Sequence, residues 1–286
     1  MKNSRTKTTV LYLAGAALFL YIILPFLWLF ISSISNKVEL LAVPPHWWPE
    51  EPTLNNYLQL LGFQDVSISA GEVPPFGTAM RNSLIIGCSA TLLCVVIGIF
   101  AAYAFARMKF RGRDKMMISV IAMRMLPEMA LVLPLYMIMV KFNMTDSKIF
   151  LTIVYTSFVL PFVIWILRSY FESIPVSLEE AALIDGASRF TIIRKIVLPL
   201  AMPGIVTTCI FALLTCWDEF LFALIFASTY NAKTLTIAIS EFTTRHMIDY
   251  GLMMTGGMLA SLPPIVFAVY LQKYIVRGLT EGSVKE

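Results

Sequence analysis

The sequence has 286 residues, of which 58% are hydrophobic and only 14% are charged. Its mean hydropathy of +0.77 is far above that of a soluble domain, so the composition excludes an ordinary globular protein and predicts a chain that folds in a bilayer. The net charge of +4 does not require a nucleic-acid partner, because the distribution of Lys and Arg about a membrane accounts for it.

Six stretches of the chain carry almost no charge. Each is about as long as the roughly 20 residues that a helix needs to cross the hydrocarbon core. They cover residues 10–34, 82–106, 116–140, 149–167, 197–217 and 251–272. The first follows basic residues, as the apolar part of a secretory signal does. Its apolar run is longer than the about 7 to 15 residues of such a signal, and no small-x-small cleavage site closes it, so we expect a retained helix.

Lys and Arg are distributed unevenly between the two ends of these spans. If residues 1–9 are cytoplasmic, the inner segments hold most of the basic residues, including the cluster from Arg107 to Lys115. The outer segments hold fewer: Lys37, Arg81, Lys141, Lys148, Lys233 and Arg245. This bias fits the positive-inside rule and predicts that both termini are cytoplasmic.

A long interruption outside the membrane is predicted over residues 35–79, which are rich in proline and aromatic residues. We expect an extended segment and then a short interfacial helix that starts near Thr53, whose hydroxyl is suited to capping it. Trp47 and Trp48 either anchor this segment at headgroup depth, which amphipathic aromatics favour, or contact an external partner. His46 has no second His or Cys near it in the sequence, so no metal site is predicted here.

The reactive residues of the chain indicate neither a metal site nor a catalytic one. The four cysteines lie inside predicted spans without a Cys-x-x-Cys pair and are interpreted as buried apolar residues. An intramembrane hydrolase needs a nucleophile and a base at membrane depth, but His46 and His246 both fall in outer loops. The sequence also lacks a G-x-x-x-x-G-K-[ST] run, the loop that cradles the phosphates of ATP.

Charged residues occur at or near membrane depth in two places. Arg124 and Glu128 are one helical turn apart, so they share a face and can form an internal ion pair. Asp218 and Glu219 follow Trp217 near the outer part of the fifth span. An ionisable group at the bilayer centre costs at least about 2.5 to 3.5 kcal/mol, so such groups normally face a cavity or one another. For Glu219 a structural acceptor role stays open, and for Asp218 a position near the outer headgroups.

A charged, water-compatible segment, "PVSLEEAALIDGASRFTIIRKIVLPLAMPG", separates the fourth and fifth spans. Ser177 and Glu180 fit the S-x-x-E capping box, which predicts a helix start there. Gly186 is suited to the left-handed conformation that ends helices. A second helix should then run into Pro199 at the membrane boundary. The pattern predicts a cytoplasmic helical hairpin over residues 175–199.

One face of this hairpin combines small and apolar side chains. Ala181 and Ala182 permit the close approach of another backbone. Larger apolar side chains are available to fill a groove: Leu178, Ile184, Phe190 and Ile193. A short amphipathic helix laid into a partner's groove is a recurring recognition mode. The alternative is a helix that lies on the lipid surface.

The same segment resembles a known signature. Seven residues reproduce the pattern E-A-A, a three-residue gap, G, a nine-residue gap and I-x-L-P: Glu180, Ala181, Ala182, Gly186, Ile196, Leu198 and Pro199. The pattern is that of the membrane subunits of bacterial ABC importers, and its place on the cytoplasmic side before the fifth span is also theirs. The stretches "NSLIIG", "AAYAFARMKFRGR", "RMLPEMALVLPLYMI", "WDEFLFALIF" and "QKYIVRGLTEGSVKE" are similar to the carbohydrate-uptake branch, specifically to the shorter permease of the maltose-type pair.

The resemblance implies a fold and a set of partners. The fold would be an all-α integral membrane protein of the bacterial inner membrane, in which residues 10–286 form one domain of six transmembrane helices with the coupling-helix hairpin between spans 4 and 5. The partners would be a second homologous permease in a heterodimer, two copies of a P-loop ATPase subunit and an extracytoplasmic sugar-binding protein. ATP and Mg²⁺ would be held by the ATPase. This chain would carry no cofactor and would not be an enzyme by itself.

The resemblance also implies residue roles. The hairpin would fit a groove of the ATPase, and the docking set would be Glu180, Ala181, Ala182, Asp185, Gly186, Ile196, Leu198 and Pro199. A sugar pathway would supply the cavity that charged groups need at membrane depth, and its candidate residues are Arg124, Glu128, Trp217, Asp218 and Glu219. Glu128 lies where relatives often have an apolar residue or proline, and Asp218 where they commonly have Asn.

Other classes of membrane protein stay open as alternatives. A six-span channel or receptor with no ATPase partner would use the same spans, but it has no need of a glycine-broken hairpin with this signature. A stand-alone secondary transporter usually shows paired inverted halves within one longer chain, and no convincing internal repeat is found here. The sequence leaves open which sugar, polyol or acidic sugar derivative is carried.

Overall fold

The computed structural model describes residues 2–44, 46–63, 76–243 and 248–281. Part of the predicted outer loop, 64–75, and the predictions for Arg245 and His246 lie outside these residues. Within them the regular structure is helical, apart from an isolated bridge between residues 243 and 248. The helices are α1 (Lys2–Ser33), α2 (Lys37–Leu40), α3 (Asn55–Leu60), α4 (Phe76–Arg107), α5 (Arg113–Ala122), α6 (Glu128–Lys141), α7 (Lys148–Ser173), α8 (Val176–Ile184), α9 (Arg189–Ile192), α10 (Leu198–Leu200), α11 (Met202–Trp217), α12 (Leu221–Phe226), α13 (Leu235–Ser240) and α14 (Tyr250–Glu281), with a 3₁₀ turn at Met123–Met125 and a π-helix at Ile193–Val197.

Four of the described helices are long and apolar enough to cross a membrane by themselves. They are the Lys7–Ser33 part of α1, the whole of α4 and of α7, and the Tyr250–Lys273 part of α14. Four predicted spans fall on them: 10–34, 82–106, 149–167 and 251–272. By length and composition, the described residues therefore hold four candidate spans, or up to six if each of two bent helix pairs forms one span.

The two bent pairs occupy the remaining predicted spans, 116–140 and 197–217. α5 and its 3₁₀ turn meet α6 at 93°, and the run Arg189–Leu200 meets α11 at 80°. At the first bend Leu126 and Pro127 are both extended, with ψ of 128° and 126°. A residue before proline is pushed out of the helical region, and proline has no N–H to continue a helix, so the chain turns sharply there.

Residues 1–77 and 238–263 form one compact unit. Its polar contacts satisfy carbonyls near the end of α1, which lack partners within the helix. Asn56 Nδ2 donates to the carbonyl oxygens of Ser33 and Ser35 at 3.0 and 3.1 Å. A buried amide thus holds the end of α1 beside α3.

The segment between α1 and α3 packs back on the first helix. Trp47 meets Trp28 edge to face, with ring centroids 5.4 Å apart, so this aromatic side chain lies beside a candidate span. α3 begins at Asn55 rather than at Thr53, but the Thr53 hydroxyl accepts the N–H of Asn55 at 3.2 Å. The predicted short helix is present, and it starts two residues later than expected.

Residues 78–237 and 264–286 form the second compact unit, in which α7 is buried along most of its length. The side chains of α7 share one apolar core with residues of α4, α11 and α12. Two glycines let neighbouring helices approach α7 closely. A Cβ on Gly98 would lie 2.6 Å from Val163 Cγ1, and one on Gly204 would overlap the ring of Tyr170.

Polar side chains hold the segment between α12 and α13 within the same unit. Asp146 Oδ1 accepts the N–H groups of Ser228 and Thr229, both at 2.9 Å. Asn82 Nδ2, at 0% exposure for its residue, donates to the carbonyl of Lys233 at 2.9 Å. These side chains satisfy backbone groups that no helix satisfies.

The first helix of the hairpin differs from the prediction at its start and agrees with it at its end. Pro175 is the N-cap residue of α8 and no side chain caps the helix, so Ser177 lies inside the first turn and the predicted capping box is wrong. The fixed φ of proline is itself suited to a helix start. Gly186 has φ +81°, and the N–H of Ala187 bonds to the carbonyl of Ala182 at 2.9 Å, which confirms the left-handed helix end.

The second helix of the hairpin is longer and less regular than predicted. It starts at Arg189 after the N-cap residue Ser188, whose hydroxyl accepts the N–H of Thr191 at 3.2 Å. The backbone then passes through the π-helix and continues as α10 beyond Pro199. Pro199 has no N–H for an ordinary α turn, and the wider π turn lies directly before it. The helix therefore does not stop at Pro199 but continues to the 80° bend before α11.

Candidate functional site

α8 and the turn after it expose most of their side chains. Among residues 175–190, all of which the structure describes, Glu179 alone is buried, at 5% exposure. Ala182 and Ala187 are half-buried and pack against the core of the second unit. The large apolar side chains that remain exposed are Val176, Leu178, Leu183, Ile184 and Phe190. Exposed apolar side chains of this kind are candidates for contact with another protein or with lipid.

The predicted docking residues divide into a surface group and a packed group. The surface group lies on α8 and the turn that ends it: Glu180, Ala181, Asp185 and Gly186. Ala182, Ile196 and Leu198 are instead half-buried against the core, while Pro199 is exposed. Ile193, predicted to be an exposed apolar side chain, is buried at 8% exposure because it lies in the π-helix on the side of the core. That prediction is wrong.

A buried polar network ties α8 to the ends of two long helices. Arg107, the last residue of α4, donates through Nε to Glu179 Oε1 at 2.6 Å and through Nη2 to the carbonyl of Ile174 at 2.7 Å. Tyr103, one turn earlier on α4, donates through its hydroxyl to Glu179 Oε2 at 2.9 Å. Both carboxylate oxygens of Glu179 are thus satisfied, and Arg107 also contacts the residue that follows α7. The side chains of the ion pair are 9% and 7% exposed.

Sequence reasoning missed this network. Glu179 directly precedes the signature and is separated from Tyr103 and Arg107 by 76 and 72 positions. Nothing in the sequence places the end of α4 beside α8. The available signal was the i, i+4 spacing of a tyrosine and an arginine at the end of a predicted span, which puts both on one helical face.

Arg124 and Glu128 do not share a helical face. Arg124 lies in the 3₁₀ turn before the 93° bend, and Glu128 is the first residue of α6 after it. Neither of these exposed residues forms an ion pair with the other in the described structure, so the predicted i, i+4 geometry is wrong. Arg124 instead lines a cavity of about 180 Å³ together with Ile121, Pro161, Phe162 and Trp165.

The three residues at the end of α11 have different surroundings. Trp217 is buried and Asp218 is exposed. The Glu219 carboxylate accepts the N–H of Phe222 at 2.7 Å and that of Ala223 at 3.2 Å. These donors belong to the first turn of α12, where backbone N–H groups have no partner within the helix. Glu219 therefore caps α12, as the structural alternative anticipated.

The described residues provide no set of metal ligands. Within the searched ranges no three His, Cys, Asp or Glu side chains lie together in a way that could hold a metal ion. Two of the carboxylates near the candidate site have structural partners: Glu179 forms an ion pair and Glu219 caps a helix.

The chain has clear sequence relatives among known proteins. Residues 94–281 match the family described as "Binding-protein-dependent transport system inner membrane component". The trehalose/maltose transport system permease protein of Thermococcus litoralis is 34% identical over 278 residues, which are 96% of each chain. The trehalose transport system permease protein of Mycobacterium tuberculosis is 35% identical over 267 residues, which are 93% of each chain.

A solved structure has the same fold. It is the crystal structure of a bacterial ABC transporter involved in the import of the acidic polysaccharide alginate, one chain of which aligns with a TM-score of 0.76 at 20% identity, covering 96% of this chain and 98% of that one. The family match and the two relatives show, beyond the fold, the family to which the chain belongs. The chain belongs to the binding-protein-dependent transport system inner membrane components, and it is a permease subunit of an ABC transporter and not an enzyme.

Proposed function

We propose that this permease carries a sugar or sugar derivative inward across the bacterial cell membrane, driven by ATP hydrolysis on a separate subunit. The observation that carries the proposal is α8, a helix with an exposed apolar surface that contains the E-A-A part of the signature. The two compared relatives, whose names give trehalose and maltose as their cargo, support a sugar as the substrate class.

Docking onto the ATPase is proposed to occur through the surface group on α8. Leu183 and Ile184 are exposed beside Glu180 and Asp185, so a groove with an apolar floor and a polar rim fits this helix. The turn at Gly186, with its positive φ, separates α8 from α9. Ala182, Ile196 and Leu198 take part indirectly, because they pack the hairpin on its own core.

The proposed topology has six spans, with each bent pair counted as one. Both termini and the hairpin lie in the cytoplasm, and the hairpin connects spans 4 and 5. The distribution of Lys and Arg supports this orientation through the positive-inside rule.

The energy for transport is proposed to come from partner chains. The sequence has no phosphate-cradling loop, so ATP and Mg²⁺ are assigned to two copies of a P-loop ATPase. A second homologous permease completes the membrane part, since a single bundle of six spans offers only one wall of a pathway. The family description names a dependence on a binding protein, which supports an extracytoplasmic sugar-binding protein as the fourth component.

The sugar pathway is proposed to pass the first bend. Non-helical backbone at membrane depth is tolerated where it is buried in protein or lines a cavity, and Leu126 and Pro127 are extended in the middle of a candidate span. Arg124 offers hydrogen-bond donors beside Phe162 and Trp165, whose rings offer apolar faces. The pathway set is Arg124, Glu128, Trp217, Asp218 and Glu219, with Glu219 acting through the helix that it caps.

Alternating access then has a simple physical form. Closure of the ATPase dimer on ATP would move the two docked coupling helices toward each other and rock the spans from an inward-open to an outward-open state. Hydrolysis would relax the ATPase and return the inward-open state, from which the sugar leaves. ATP acts by binding one state of the ATPase better than the other, which is the only way a ligand shifts such an equilibrium.

A pull-down from detergent-solubilised membranes tests the proposal. The tagged chain should recover a second permease and a P-loop ATPase, and the ATPase activity of the complex should rise with one of the sugars tested in the presence of the binding protein. Recovery of the chain alone would contradict the proposal and favour the channel or receptor class.

A variant of α8 makes the test specific. Ile184→Asp places a charge on the most exposed apolar side chain of the helix, at 87% exposure, so the fold should persist while the docking surface is lost. We expect the co-purified ATPase to fall at least about tenfold, the effect of some 1.4 kcal/mol. Val38→Asp, an equally exposed apolar position on the predicted outer side, is the matched control and should recover the ATPase normally.

A further inference from the structure

α8 is attached to the rest of its unit mainly through a charged side chain. Glu179 is the one residue that the structure buries on this helix, and the others on α8 are exposed except for half-buried Ala182. An exposed helix with an apolar surface would normally be held by a stripe of apolar residues on its inner face. Here Ala182 is the one residue of α8 that packs on the apolar core, and an ion pair and a tyrosine hydroxyl add the polar contacts.

Arg107 is the centre of this attachment. It ends α4, it pairs with Glu179 on α8, and it donates to the carbonyl of Ile174, which follows α7. One guanidinium at the end of α4 therefore contacts the first turn of α8 and the C-cap residue of α7. Tyr103 adds a second contact between α4 and Glu179, so the carboxylate is held at both oxygens.

The chemistry of these contacts suits the transmission of movement. Apolar contacts are non-directional, so a helix held only by them can slide or rotate against its neighbour. Charge-assisted hydrogen bonds are short and directional, and a planar guanidinium fixes the orientation of its partners. A displacement of α8 is therefore passed to the ends of α4 and α7 in a fixed direction.

We propose that Tyr103, Arg107 and Glu179 form a coupling joint, which transmits the displacement of α8 to the spans α4 and α7. The inference rests on the proposed function, in which α8 receives that displacement from an ATPase. The three side chains are positioning residues: they contact neither ATP nor sugar. Loss of the joint leaves ATP hydrolysis running while the spans no longer follow it.

The decisive quantity is the number of sugar molecules transported per ATP hydrolysed. It is measured with the complete complex in proteoliposomes, with trehalose as the probe or with the sugar that stimulates the wild-type ATPase. Glu179→Gln keeps the size of the side chain and hydrogen-bonding capacity but removes the charge. We expect the sugar-to-ATP ratio to fall at least about fivefold, the lower end of typical coupling between sites, with normal recovery of the ATPase. Glu179→Asp, which keeps the charge, should restore part of the ratio.

An exposed ion pair in the same unit provides the matched control. Arg168 Nε and Glu172 Oε1 are 2.8 Å apart, and both residues belong to α7. Glu172→Gln breaks this pair with the same chemical change and should leave the ratio unchanged. The control tests the chemical change itself, and the recovery of the assembled complex for both variants separates a loss of stability at the buried pair from a loss of coupling.

Three results would overturn the inference. The first is a Glu179→Gln complex that assembles and keeps the wild-type sugar-to-ATP ratio. If that variant does not assemble, Tyr103→Phe is used instead, because it removes only a hydroxyl. The second overturning result is a Tyr103→Phe complex that keeps the wild-type sugar-to-ATP ratio. The third is a wild-type chain that recovers no ATPase, which removes the proposed function together with the joint and is distinguished from the others by the pull-down.

Discussion

Glu179 occupies a position where a nine-residue helix would usually bury an alkyl side chain. Removing one partner of a buried ion pair leaves an uncompensated charge and costs about 3–5 kcal/mol, whereas exposed i, i+4 pairs such as Arg168–Glu172 contribute only about 0.3–0.5 kcal/mol. An apolar pair of similar volume would stabilise the contact as well. What the charged pair adds to the contact is a fixed orientation of the two side chains. For this reason we assign the pair a role in coupling.

Glu219 and its neighbour Asp218 can be separated experimentally, because the structure gives them different contacts. Glu219→Ala removes both acceptors from the first turn of α12 and should cost about 1 kcal/mol of stability, as the loss of a helix cap does. Asp218→Ala removes an exposed side chain and should leave the stability unchanged. The apparent melting temperature of the purified complex measures both.

Transport measurements complete that comparison. Glu219→Gln keeps one carbonyl acceptor for the cap, so transport should stay near the wild-type rate if Glu219 acts through α12. Asp218→Asn should lower transport if its carboxylate contacts the sugar. A severe transport defect in a thermally normal Glu219→Gln complex would show that Glu219 serves the pathway directly.

At the scale of elements, the turn at Gly186 defines how the hairpin presents α8. Its φ of +81° is a conformation that β-branched residues avoid, and no heavy atom lies within 4 Å of a built Cβ, so a substitution there is penalised by backbone conformation and not by crowding. Gly186→Val should reduce sugar-stimulated ATPase activity by about five- to thirtyfold, the result of a cost of about 1 to 2 kcal/mol at the docking surface.

Two controls isolate this conformational effect. Gly186→Asn should retain activity, because Asn tolerates the left-handed region several-fold better than other residues. Gly15→Val adds the same side chain on α1 at a helical position with equally open space and should also retain activity. Equal activity of the Val and Asn variants at residue 186 would show that the turn geometry is unimportant.

Much of the helical architecture follows from apolar length, but the bends do not. Pro25, Pro134 and Pro161 lie inside helices, whereas the chain breaks at Pro127. Prolines are tolerated in membrane helices because neighbouring groups re-satisfy the freed backbone, and those neighbours are set by tertiary packing. The sequence therefore predicted where a span lies and could not predict which proline would bend it. The error over Arg124 and Glu128 came from this bend.

The candidate site was predictable in the same partial way. The E-A-A…G half of the signature predicted an exposed helix and its glycine-terminated end, and both are present. The contacts of Glu179 and Asp146 were missed because the partners are far apart in the sequence. Glu179 is 76 positions from Tyr103 and 72 from Arg107, and Asp146 is 82 positions from Ser228. A local sequence pattern predicts which residues are neighbours along a helix, but it does not predict contacts between residues so far apart in the sequence.

At the scale of the whole molecule, the orientation in the membrane is the next property to test. Leu41→Cys lies in the predicted outer segment and Arg111→Cys in a predicted inner one, and both positions are exposed. The native cysteines all lie in α4 and α11. A membrane-impermeant maleimide added to intact spheroplasts should label residue 41 and not residue 111, because the positive-inside rule places Arg111 in the cytoplasm. Labelling of residue 111 alone would invert the proposed topology.

The apolar surface of α8 also bears on how a cell must produce this subunit. In the proposed orientation, a copy that has not met its ATPase displays Leu178, Leu183 and Ile184 to the cytosol. Such a patch is what chaperones and proteases recognise, so surplus copies are expected to be short-lived. The lifetime of the permease then depends on the supply of its partner, and balanced synthesis of the subunits becomes a requirement that originates in nine residues of helix.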